Sequence, residues 1–134
     1  MRKALEFLAT HKDVAMATVE GNKPKIRVFQ IMKQEGDTLY FATAARKAVY
    51  RQLQENPAIE LLAMEGNISV RITGKAVFDV SDPVQKEIYE TNAVLSRLYP
   101  SYLDMVYFRL TIEELDYYDL TPTPSLLEHY ENRH

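Results

Sequence analysis

The chain has 134 residues, a formal net charge of −3, 46% hydrophobic and 26% charged residues, and no cysteine. These values describe one ordinary globular domain over residues 1–134 and exclude a disordered or fibrous chain. They also exclude disulfide staples and cysteine-ligated metals, and the acidic balance argues against nucleic acid as a partner, since such faces need many Lys and Arg contacts to phosphate.

The N-terminal stretch MRKALEFLATHKD places Ala4, Leu5, Phe7 and Leu8 on one side of a short helix, a plug for one end of a barrel. It has no apolar h-region, and no run approaches the ~20 apolar residues of a membrane helix, so a cytoplasmic chain without a membrane partner is expected. Val14 to Val19 is a β-prone run, Glu20 to Lys23 a hairpin turn, and a second strand starts near Pro24. That strand, KIRVFQIMK, alternates Ile26, Val28, Gln30 and Met32 on one face with Arg27, Phe29 and Ile31 on the other. Both faces mix apolar and polar residues, so one of them should meet something other than bulk water or core.

Gln34 to Asp37 forms the next turn, Thr38 to Ala42 a third strand, and Thr43 is the expected N-cap of a helix AARKAVYRQLQEN with Ala45, Val49 and Leu53 on its buried stripe. Asn56-Pro57 stops this helix. AIELLAM is a buried strand, Glu65-Gly66-Asn67 a turn, and ISVRITGKAVFDV a long strand whose Gly74 marks a bulge or barrel corner. A helix with a capping-box signature begins at Asp82-Pro83 and runs to about Leu98. Strands YLDMVYFRLTI and LDYYDL follow, and the tail from Pro122 carries turn and short-helix signals. The sum is a mainly β chain with helices, six to seven strands in antiparallel hairpins closing a small split barrel.

Chemistry concentrates between Arg27 and Lys47. Arg46 and Lys47 sit in the expected first helical turn, where the helix dipole disfavours cations by about 0.3–1 kcal/mol each. An anion there reverses the sign, with bare N–H groups, the Thr43 hydroxyl and the fork of Arg27 as further donors. If the second and third strands pair across their turn, the three cations converge. The alternative is a solvated charged face. His11, His129 and His134 are scattered, and no metal-ligand spacing is recognisable among Glu113, Glu114, Asp116 and Asp119, so no metal is expected. Six of the nine tyrosines, Tyr99, Tyr102, Tyr107, Tyr117, Tyr118 and Tyr130, crowd the last third, for packing or to flank an aromatic ligand or a subunit interface.

The succession P-K-I-R-V-F, L-Y-F-A-T, R-K-A-V-Y-R-Q-L with Asn56-Pro57, and V-R-I-T-G-K-A resembles the pyridoxamine 5′-phosphate oxidase-related flavoproteins. The resemblance implies an FMN-binding split barrel and a homodimer with the flavin at its interface. It implies that Arg27, Arg46 and Lys47 meet the flavin phosphate, that Thr43 bonds nearby, and that backbone groups of Val28, Phe29 and Gln30 line the isoalloxazine. Met32 stands where the true oxidase has a substrate-gripping lysine, and Ser69 where it has a flavin-contacting glutamine; the C-terminal substrate extension is missing. Length and order are closer to the short nitroimidazole-resistance subfamily, although a tryptophan often found near Ser69 there is absent. The expected function is thus an FMN-dependent oxidoreductase taking electrons from a reduced nicotinamide to a small-molecule substrate, with no catalytic residue assigned. The alternatives are a non-catalytic flavin- or haem-binding module and a deazaflavin-dependent reductase.

Overall fold

The computed structural model describes residues 1–132, so His134 lies outside the described residues. Helix α1 (Arg2–Thr10) leads into strands β1 (Asp13–Glu20) and β2 (Lys23–Gln30), then β3 (Lys33–Glu35) and β4 (Thr38–Thr43). Helix α2 (Ala48–Glu55) precedes β5 (Ala58–Glu65) and β6 (Ile68–Val77), and helices α3 (Asp82–Thr91) and α4 (Ala93–Leu98) precede β7 (Val106–Thr111), β8 (Glu114–Asp119) and β9 (Leu126–Glu131). Every strand pairing is antiparallel, in the order β2-β1-β5-β6-β7-β4-β3, with β8 on β6 and β9 on β8. The sheet curls into a half-barrel, and among the described residues no helix is long and apolar enough to cross a membrane.

Period-two burial explains the closure. Val14, Met16 and Thr18 of β1 point inward with Leu61 and Ala63 of β5, Val70 and Ile72 of β6, and Phe108 and Leu110 of β7. Ala4 and Leu8 of α1 cover this core, as the N-terminal pattern predicts. Gly74 is the corner. There β6 exchanges β8 for β7 as its neighbour, and a Cβ at Gly74 would lie 2.7 Å from Leu110 Cγ and 2.9 Å from the Thr111 carbonyl oxygen. Only a residue without a side chain lets the two strands approach this closely.

Four details differ from the sequence reading. The second and third predicted strands do not pair: β2 is an edge strand bonded to β1 alone, while β4 lies between β3 and β7. The hairpin at Gly36 instead joins β4 to the separate three-residue strand β3, and Gly36 takes φ +59°, the left-handed value its two-residue loop requires. The predicted long helix is two, because the Asn92 side-chain amide donates to the Ile88 carbonyl (2.7 Å) and Asn92 itself leaves the helical region, at φ −120° and ψ 94°. The tail is strand β9 paired to β8 where a short helix was expected, so nine strands occur among the described residues.

Candidate functional site

A cavity of about 300 Å³ opens between β2, β4, α2 and α4. Val28, Phe29 and Gln30 all line it. Consecutive strand residues point to opposite faces, so the cavity runs along the outer edge of β2, where the backbone has no ladder partner among the described residues. Phe29 pins this edge to the core by packing on Phe41 and Phe108, each with a ring-centroid distance of 5.9 Å.

Arg27 comes from the inward face of the same strand. Its Nη1 donates to the Met16 carbonyl (3.2 Å) and to Thr18 Oγ1 (2.8 Å), and its Nη2 donates to Gln52 Oε1 (2.7 Å). Thr18 also donates to Gln52, at 2.6 Å, so both acceptors occupy the Nη1/Nη2 end of the fork. A guanidinium has five N–H donors, and three bonds leave the Nε side without a protein partner among the described residues. No carboxylate reaches Arg27 among them either. Burial pulls its pKa below the ordinary guanidinium value, yet it remains charged at any working pH. A half-buried cation without an acid is held at a desolvation cost that an anion would offset.

Thr43 and Lys47 line the same cavity. Here the sequence reading is corrected: Thr43 is no N-cap, because its pairing with Val106 keeps it in β4 and the helix starts only at Ala48. Its hydroxyl is nonetheless buried with no hydrogen-bond partner among the described residues. Lys47 is the N-cap residue, so Arg46 and Lys47 stand just ahead of the first turn and not inside it. Neither side chain has an ion pair among the described residues. The unpaired N–H groups of the first turn of α2 therefore open beside Lys47.

Two expected residues lie elsewhere. Arg46 is exposed and does not line the cavity. Ser69 faces a second cavity on the outer side of the sheet, of about 400 Å³, with Leu62, Arg71, Tyr118 and Leu127. Its alternation with buried Val70 and Ile72 already dictates that outward direction. Thr18 and Gln52 hold Arg27 in place, and both leave a signal in the sequence. Thr18 is a polar residue in the inward phase of β1, and Gln52 falls on the stripe of Val49 and Leu53.

The described lining of the cavity contains no His, Asp or Glu; its titratable side chains are Arg27, Lys47 and Tyr99. The Tyr107 hydroxyl, under α3 and α4, is pushed up to about 12 by burial and donates to the Tyr102 carbonyl, so it stays neutral. The β8–β9 register brings together what the spacing did not reveal: Glu114 faces Glu131, and donor atoms of Glu114, His129 and Glu131 lie within 4.8 Å of one another. All three are exposed, and His129 Nδ1 already bonds Asp116 at 2.6 Å.

A family model described as pyridoxamine 5′-phosphate oxidase matches residues 1–119. No protein of curated function matches the chain. Among solved structures, a NimC/NimA family protein from Clostridium acetobutylicum is similar at 24% identity and TM-score 0.77, over 98% of this chain and 92% of that one. A pyridoxamine 5′-phosphate oxidase-related, FMN-binding protein from Nostoc punctiforme aligns at 17% identity and TM-score 0.70, over 98% and 86%. An FAD-binding protein from Mesorhizobium loti aligns at 14% and 0.71, over 85% and 90%. At these identities the structures establish a shared split-barrel fold.

Proposed function

The chain belongs to the pyridoxamine 5′-phosphate oxidase family, and on that premise we propose that it is an FMN-binding oxidoreductase, flavin reductase-like, acting on a small acceptor with a reduced nicotinamide as donor. One observation carries the cofactor: among the described residues, half-buried Arg27 has unpartnered donors and no acid, in the cavity that also holds the Thr43 hydroxyl and the Lys47 ammonium, neither of which has a partner among them. These three fit a phosphate monoester, Arg27 as a charged fork, Lys47 as a point charge and Thr43 as a neutral donor. The open edge of β2 from Val28 to Gln30 supplies backbone donors and acceptors for the ring system. Arg46 contributes as an outer charge that raises the local concentration of anions. FMN, when bound, supplies the redox chemistry, and the protein's part is to position it and exclude water.

Ser69 joins this site only from a second copy of the chain. By register Ser69 shares its outward face with Met64 (65% exposed), Tyr118 and Leu127 (64%), and Val28 (74%) stands on that face beside the cavity. A homodimer covering this apolar face would bring the partner's Ser69 toward the cavity rim and bury side chains that a monomer leaves in water. Sedimentation of the purified protein as a monomer contradicts this arrangement.

Absorbance of the purified protein near the flavin bands, mass analysis of any released ligand and oxidation of NADH or NADPH test the whole reading. A yellow protein that oxidises a nicotinamide supports it; a protein that takes up no FMN contradicts it. The lack of a His, Asp or Glu in the described cavity lining favours, as a second reading, a module that holds flavin without turnover. Flavin uptake with no nicotinamide oxidation in the presence of acceptors selects that one.

A further inference from the structure

The cavity has two chemically distinct ends. Its cations stand beside α2, whereas under α4 it is walled by Met32, Val94, Leu95, Leu98, Tyr99 and Met105, without one charged side chain among the described residues. This apolar end is held in place from both sides. Asn92 donates to the Met32 carbonyl (3.3 Å) as well as to that of Ile88, tying the start of α4 to the link between β2 and β3. The Tyr89 hydroxyl donates to the Tyr99 carbonyl at 2.6 Å, fixing the residue that follows α4. Ile88 is buried behind the wall, and Leu95 of the wall packs with it in a core shared with Tyr107.

We propose that the chamber under α4 selects a flat, uncharged aromatic acceptor and rejects anionic acceptors of the same size. The proposal deepens the functional reading above and rests on it, because the flavin phosphate is what occupies the cations at the other end. With Arg27 and Lys47 so engaged, an acceptor's carboxylate, sulfonate or phosphate under α4 would be stripped of water and meet no counter-charge. A neutral ring loses little on leaving water. Two thioethers, from Met32 and Met105, adapt to its outline, and Tyr99 offers an aromatic neighbour. The charged portion of a nicotinamide dinucleotide must on this view remain outside, with only its ring admitted.

A matched pair of probes tests the selectivity without turnover. FMN-loaded oxidised protein is titrated with menadione, a methyl-substituted naphthoquinone, and with the naphthoquinone that carries a sulfonate in place of the methyl group. Perturbation of the flavin absorbance reports binding. The chain has no cysteine, so quinone addition to thiols cannot confound the result. Menadione is expected to bind at least about tenfold more tightly. Leu98 is 63% exposed at the rim, so Leu98→Lys should fold normally and narrow that ratio several-fold by giving the sulfonate a partner. Equal or tighter binding of the sulfonate, no binding of either probe, or an unchanged ratio in Leu98→Lys overturns the proposal. Failure to load FMN at the outset sinks the functional reading, and this selectivity with it.

Discussion

The two ends of the sheet treat their cations in opposite ways. At β8–β9, Arg71 sits 2.7 Å from Asp116 and 3.4 Å from Glu60, and His129 shares the same Asp116 at 2.6 Å. Beside α2, Arg27 has three hydrogen bonds but no acid, and Arg46 and Lys47 have no ion pair at all among the described residues. Charges that satisfy one another on an exposed face contribute little and ask for nothing further. Cations left open at a cavity, one of them half-buried, carry a desolvation penalty that no ion pair among the described residues offsets, and such an arrangement is what a site for an anionic ligand requires.

The largest expected effect is on the open end. Removing both charges in Arg27→Ala with Lys47→Ala should weaken FMN binding by about 1.5–3 kcal/mol per lost charge-assisted bond, read from quenching of FMN fluorescence on titration. Unchanged affinity would refute the site. Stability then separates the two residues. Arg27→Ala deprives the Met16 carbonyl and Thr18 of the guanidinium donor and leaves Gln52 Oε1 with only the Thr18 hydroxyl, and should cost about 1–3 kcal/mol in thermal or urea unfolding of the FMN-free protein. Exposed, unpaired Lys47→Ala should stay within about 0.5 kcal/mol of wild type while still losing FMN. A destabilised Lys47→Ala protein would mean that its ammonium has a structural partner.

Thr43→Val sharpens the contrast by a difference in sign. The hydroxyl is buried and has no partner among the described residues, so a methyl of similar shape should leave the FMN-free protein equally or more stable, while FMN affinity falls by about 0.5–1.5 kcal/mol. Loss of stability together with unchanged affinity breaks the assignment. The smallest effect belongs to the satisfied end. The hydrogen bond that His129 donates to Asp116 raises it above its ordinary 6.5, and the one that His11 donates to Glu65 does the same there. The stabilisation from each is complete below pH 6.5 and is lost as pH rises through the raised folded value. Melting temperature should therefore decline over that interval, and less steeply in His129→Gln; a decline of the same steepness would show that Asp116 does not hold the imidazolium.

Much of this was legible in the residues. The order of strands along the chain, the corner at Gly74 and the turns follow from periodicity and backbone stereochemistry; Arg27 and Lys47 do line one cavity, but not through the β2–β4 pairing from which their convergence is expected, and Arg46 stays outside it. What failed was non-local. Pairing β2 with β4 is the natural guess for neighbours joined by a short turn, but Lys33-Gln34-Glu35 competes for β4, and β1 claims β2 along its full length. Thr43 reads as an N-cap by residue type and is kept in a strand by Val106, more than sixty positions away. The inward stance of Arg27 depends on Thr18 and Gln52, polar residues on apolar faces whose meaning appears only when strand and helix are brought together.

The anion site itself is tested most directly by titrating the wild-type protein with FMN and with riboflavin, which has the same ring system without the phosphate. FMN should bind at least about a hundredfold more tightly, as two charge-assisted bonds imply, and that preference should collapse in Arg27→Ala with Lys47→Ala. Riboflavin binding as tightly as FMN, or neither binding, would contradict a phosphate held by Arg27, Thr43 and Lys47.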